Sequence, residues 1–256
     1  MSLADHLREL RYRMVLSLVV IGVGMIACAF FYQRIVEFLM QPYLVAQAQL
    51  AISNPDLEMT ATINDVTQPF LFALQVVGLA GLIFTSPLWI YQVWAYIVPA
   101  LVAQEKKYAL AFMGAAIPLF LAGVAAAYWV LPQGIVVMMQ FTPMGVDITN
   151  LIDISNFLRL LIVMMLVFGI GFLTPVFVVA LNLIGILPAS ALKASRSYVI
   201  FGCFVFAAAA TPGGDPFSMI VLGLTMTVLF LGSEYLCRIN DRRRARKQAA
   251  GEIVPA

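Results

Sequence analysis

Residues 108–131 read YALAFMGAAIPLFLAGVAAAYWVL, 24 positions without one charged side chain. At about 1.5 Å rise per residue a helix of that length covers about 36 Å, against a bilayer hydrocarbon core of about 30 Å. Such a helix has no polar face to offer water, so it belongs in lipid. The charge-free stretch continues to Val146, and a second one runs from Val66 to Gln104. Across all 256 residues hydrophobic types make up 62% and charged types 11%, compared with roughly half and a quarter in soluble domains. A chain of this kind threads a membrane repeatedly. Secreted disulfide scaffolds, disordered proteins and soluble nucleic-acid binders are excluded. Cys28, Cys203 and Cys237 all lie in apolar runs, where thiols read as packing.

Four segments are long enough to span: approximately 14–35, 70–91, 108–131 and 160–183. Two shorter apolar runs, 198–210 and 217–231, flank Thr211-Pro212-Gly213-Gly214-Asp215-Pro216, a turn by composition. At about 20 and 22 Å each is short for the bilayer, so the pair is either a re-entrant hairpin or two short spans in a locally thinned membrane. The favoured reading is an all-α integral membrane protein of six spans, the last two short, forming one domain over residues 1–238. Residues 239–256 read as a basic, disordered tail. Arg8–Arg13 followed by Ala27-Cys28-Ala29 imitates a cleavable signal or a lipoprotein cysteine. The apolar run continues to Ile35, however, and predicts a retained helix.

Cytoplasmic flanks retain Lys and Arg during insertion. Arg8, Arg11 and Arg13 precede the first span, Lys106 and Lys107 lie between spans two and three, Lys193 and Arg196 between four and five, and six more basic residues between Arg238 and Lys247 follow the last. Thirteen of the 15 basic residues therefore fall on one face, while the opposite loops hold Glu37, Asp56, Glu58, Asp65, Asp147 and Asp153. Both termini are predicted to be cytoplasmic.

Buried charges mark most pumps and channels, yet Arg34, Arg159 and Glu234 sit at span ends, and the interior polar residues are amides and hydroxyls such as Gln75, Thr85, Thr174 and Asn182. Pro87, Pro118 and Pro175 should bend their helices into a kinked, concave bundle suited to cradling another helix. No enzyme is indicated. His6 is the only histidine, and no nucleophile elbow or phosphate-cradling glycine loop is present. No metal, cofactor or nucleic acid is expected.

Two acidic residues on the basic face stand out. Glu9 lies in Asp5-His6-Leu7-Arg8-Glu9-Leu10-Arg11-Tyr12-Arg13, read as an amphipathic lead-in at the membrane surface. Glu105 follows the aromatic stretch containing Trp94, Tyr96, Pro99 and Leu101 and precedes Lys106-Lys107. Taken alone, both could simply pair with adjacent basic residues.

These segments resemble TatC, the multispanning receptor family of the twin-arginine protein translocase. His6–Arg13 matches that family's His-Leu-x-Glu-Leu-Arg-x-Arg pattern, Pro99–Glu105 matches its Pro-x-Leu-x-x-x-Glu loop, and Thr211-Pro212 with Asp215 and Ser218 matches its turn between short helices. The resemblance runs from Leu3 to about Arg238. It implies a receptor, self-associating in a larger complex, that binds twin-arginine signal peptides of folded proteins and gathers TatA- and TatB-type partners for export driven by the proton-motive force. It implies that Glu9 and Glu105 recognise the arginines, supported by His6, Leu10, Arg11, Tyr96, Pro99 and Leu101. A guanidinium offers a planar fork of donors that lysine cannot reproduce. Partner helices are expected near Tyr198, Thr211 and Asp215. The chain departs from many relatives at Leu173-Thr174 and Met219, where a polar residue is frequent, and at Ala100, where glycine is. The alternative reading is a small-solute or ion secondary transporter, for which an inverted repeat would be the sign.

Overall fold

The structure is a computed structural model that describes residues 3–53, 59–63, 65–97, 106–142, 150–183, 185–211 and 215–249. Helix α1 (Leu3–Ala29) begins the chain without a break between the basic lead-in and the apolar run. At about 40 Å it exceeds the hydrocarbon core, so the segment with Arg8, Glu9 and Arg13 extends the spanning helix and does not form a separate surface helix. The span expected over 14–35 ends early, at Ala29. A turn at Phe30–Phe31, where Phe31 N–H donates to the Cys28 carbonyl at 2.9 Å, separates it from α2 (Tyr32–Ser53).

Helix α2 occupies what the sequence reads as a loop. By length and composition it is one of five helices among the described residues able to cross a membrane, and the least apolar of them. Its contacts place it elsewhere. The Phe38 ring stacks on Tyr128 with centroids 4.6 Å apart, and Tyr43 meets Phe157 edge-on at 5.7 Å. Beyond α2, β1 (Met59–Thr62) pairs in parallel with β2 (Asn150–Asp153), and β2 leads directly into α6 (Ile154–Phe172). Both ends of α2 are thus held where α5 (Lys106–Met139) passes over to α6, so it covers that end of the bundle. Asp153 caps α6, accepting from Ser155 N–H at 2.7 Å, and takes a bond from Gln68 at 2.9 Å. Nearby, the Thr67 hydroxyl and N–H lower the Asp65 carboxyl below the usual range.

Six paths then remain: α1, the bent pair α3 (Gln68–Phe84) and α4 (Ser86–Ile97), α5, the pair α6 and α7 (Thr174–Leu183), α9 (Arg196–Ala210) and α10 (Pro216–Ala249), with the short α8 (Ala189–Ala194) before α9. Pro87 breaks the second path by 59°, and the Trp89 indole donates to the Leu82 carbonyl at 2.9 Å across the break. A second break falls at Leu173, ahead of Pro175. Pro118 lies inside α5, which runs uninterrupted past it, because one missing bond is tolerated in a well-packed helix. Helix α9 is the short span indicated by the sequence, at 15 residues.

Helix α10 continues past Leu231 to Ala249, 34 residues in all. Residues 239–249, expected as a disordered tail, are its last turns. Arg and Lys are good helix formers, and two polar contacts described below hold the helix where it leaves the apolar core.

Close approaches bind the paths together. A Cβ on Gly81 would come within 2.7 Å of Met25 N, and one on Gly123 within 2.5 Å of the Phe168 carbonyl oxygen. Small residues let membrane helices gain dispersion contact where lipid removes the hydrophobic drive between them. Phe120, Leu161, Met164 and Phe168 fill the resulting α5–α6 seam.

Candidate functional site

At the end of the bundle carrying the start of α1, Glu9 accepts from Arg13 Nε at 2.9 Å and Nη2 at 2.7 Å. Arg13 also donates through Nη1 to Gln92 Oε1 on α4 at 3.2 Å. The arginine therefore ties the carboxylate of the His6–Arg13 motif to α4, the helix that precedes residues 98–105. Glu9 keeps about 25% of its side chain exposed and Arg13 22%. Leu10 is half-buried on the same helix, Arg11 is exposed, and His6 lies in the same helix.

The loop's departure point is fixed by stacking. Trp94, buried on α4, lies against Phe112 of α5 at 5.5 Å and Phe177 of α7 at 5.2 Å. Tyr96 follows, half-buried. Pro99, Ala100, Leu101 and Glu105 lie outside the described residues. Residues 98–105 connect α4, which packs on α1, to the first residue of α5.

Two polar clusters join α10 to its neighbours; the sequence reading named Glu234 and Asn182 but not their partners. Glu234, buried on α10, accepts from Arg196 through both oxygens at 3.0 Å and also pairs with Arg238. Asp241 accepts from Asn182 at 3.0 Å and from the Ala189 N–H at 2.8 Å, while Asn240 donates to Asn182 Oδ1 at 3.0 Å. Together they staple α7, α8 and α9 to α10. The available signal was a single carboxylate in an otherwise apolar run, which demands a partner.

At the opposite end, Thr211 and Asp215 are buried and internally satisfied. The Thr211 hydroxyl donates to the Ala207 carbonyl at 2.9 Å, and Asp215 caps α10 by accepting from the N–H groups of Phe217 at 2.9 Å and Ser218 at 3.2 Å. A Cβ on Gly134 of α5 would meet Asp215 Oδ2 at 3.1 Å. Tyr198, by contrast, is 81% exposed, and Phe201 and Val205 continue an exposed stripe on α9. Leu173 is buried at the α6–α7 break and Met219 packs against the core, so the two departures from the pattern both serve apolar packing. Among the described residues no group of His, Cys, Asp and Glu could hold a metal ion.

The family description "Sec-independent protein translocase protein (TatC)" matches residues 5–224 of this chain. The chain belongs to the TatC family. It is 34% identical over 250 residues to TatC of Frankia casuarinae, covering 96% of this chain and 68% of that protein. It is 33% identical to TatC of Rothia mucilaginosa, with coverages of 97% and 83%. A crystal structure of the twin-arginine translocase receptor TatC superposes with a TM-score of 0.75 at 26% identity, over 90% of this chain and 98% of that one. The protein is thus a multi-pass, helical component of the twin-arginine, Sec-independent protein translocase. The TatC assignment takes the place of the secondary-transporter alternative.

Proposed function

We propose that this TatC recognises the arginine pair of twin-arginine signal peptides on folded cargo through Glu9 and Glu105. The observation that carries the reading is the state of Glu9. Its Oε1 already holds a guanidinium in charge-assisted bonds, while among the described residues Oε2 accepts none. A partly exposed carboxylate with one oxygen unbonded among the described residues, on a helix that packs on α4, the element just before residues 98–105 in sequence, suits a second guanidinium. In this reading the site faces the cytoplasm, both termini lie there, and the protein resides in a prokaryotic cytoplasmic membrane, in keeping with the 13 basic residues of that face.

TatA- and TatB-type single-span partners would dock along α9, where Tyr198, Phe201 and Val205 follow at helical spacing. Thr211 and Asp215 would shape the end of that edge from within. The same receptor would self-associate and use the proton-motive force for transport.

The experiment is export of a folded twin-arginine substrate by a Glu105→Lys variant that inserts at wild-type level. Loss of export is expected, because a like charge replaces the acceptor. Wild-type export would overturn the site.

A further inference from the structure

Between α2, α3, α5 and α6, away from Glu9, the bundle encloses an open groove of about 990 Å³. That volume lies at the upper end of the roughly 300–1,000 Å³ typical of small-molecule sites. Phe38, Phe84, Ala125, Trp129 and Met165 line it, and among the described residues its one charged wall residue is Arg34. Arg34 lies in the first turn of α2, at the end of the bundle where α1 turns over. It forms no ion pair among the described residues, although Glu37 follows one turn later. Trp129 and Phe38 are exposed at the groove, and Tyr128 is tied to Phe38 by stacking and by an O–H bond to its carbonyl at 2.7 Å.

An apolar channel with aromatic side chains and one cation at its mouth has the polarity profile of a membrane interface, where Trp and Tyr sit at headgroup level and a long basic side chain reaches outward. We propose that the groove binds one phosphoglyceride, with an acyl chain against Ala125 and Met165 and the phosphodiester on the Arg34 guanidinium. A protein partner helix would need small residues to enter against the bulky rim, whereas an acyl chain bends around Phe38 and Trp129. Charge selects the headgroup: Arg34 offers a fork of donors to two phosphate oxygens. The other arginine at a span end, Arg159, does not line the groove.

The test is native mass spectrometry of the full chain, purified in nonionic detergent, stripped of lipid and titrated with phosphatidylglycerol, phosphatidylethanolamine, dioleoylglycerol and glycerol 3-phosphate. One phospholipid adduct is expected for either phospholipid, with at least fivefold weaker retention of dioleoylglycerol and none of glycerol phosphate. Arg34→Gln should weaken phospholipid retention at least fivefold and remove the preference over dioleoylglycerol. Ala125→Phe, at an exposed position in the groove, should reduce retention of both. Equal retention by wild type and Arg34→Gln, equal retention of dioleoylglycerol and phospholipid by wild type, or an unchanged adduct in Ala125→Phe would each overturn the proposal. A thermal melt of each variant accompanies the titration; a variant that melts with the wild type yet retains lipid equally counts against the site.

Discussion

Glu9 and Arg13, one turn apart on α1, are joined by two hydrogen bonds that land on the same carboxylate oxygen. The pair is intrahelical and part-exposed, so its own contribution to stability is small, about 0.3–0.5 kcal/mol. Its larger effect is orientation. Arg13 also reaches Gln92, which fixes the carboxylate relative to α4.

Arg13→Ala is therefore expected to weaken twin-arginine peptide binding several-fold, about 1 kcal/mol, by releasing Glu9 and the α1–α4 link. Titration of the purified protein with a labelled signal peptide checks it. Tighter binding by the variant would mean that Arg13 competes for Glu9 and does not position it.

If Glu9 and Glu105 share one arginine pair, their alanine substitutions should be non-additive in a double-mutant cycle, with a coupling of about 1 kcal/mol or more. Peptide affinities of the two single variants and the double variant supply the cycle. Losses that simply add would assign the two carboxylates to separate tasks.

Glu234→Ala leaves Arg196 and Arg238 facing one another beside apolar helices. Truncating one partner of a fully buried ion pair typically costs about 3–5 kcal/mol. Here the two arginine side chains are 44% and 38% exposed, so solvent relieves part of the loss and about 2 kcal/mol is expected. A lowered Tm in detergent reports it, and an unchanged Tm would show that the cluster adds nothing to stability.

Gly123→Ala should destabilise by about 1–3 kcal/mol, because its Cβ must push the α6 backbone at Phe168 away. Gly114→Ala, with nothing within 4 Å of the added carbon, should be neutral or slightly stabilising. Equal Tm values for the two variants would contradict the close α5–α6 approach.

The six-path fold was legible in the sequence because bilayer thickness imposes a length and a charge rule on every span, as in residues 108–131. The break at Pro87 and the short α9 followed from proline chemistry and from the Thr211–Pro216 turn. Helix α2 was not legible. Gln33, Arg34, Glu37 and Gln41 dilute its apolar pattern, and only tertiary contacts such as Phe38 on Tyr128 reveal where it lies. The helical state of residues 239–249 was hidden for a related reason: a run of arginines reads as a solvated tail until Asp241 is seen bonded to Asn182 and Ala189. At the candidate site, Glu9 stood out by its pattern, whereas its link through Arg13 to Gln92 depends on α1 packing against α4, a contact between residues 79 positions apart.

In the proposed site the carboxylates of α1 and of the 98–105 segment read an arginine pair. A photoreactive residue at position 101, with a second at position 7, should crosslink to a signal peptide carrying Arg-Arg. Both crosslinks should fall sharply with a Lys-Lys peptide and with Glu9→Ala. Crosslinks of equal yield to Arg-Arg and Lys-Lys peptides, or none from either position, would contradict that assignment.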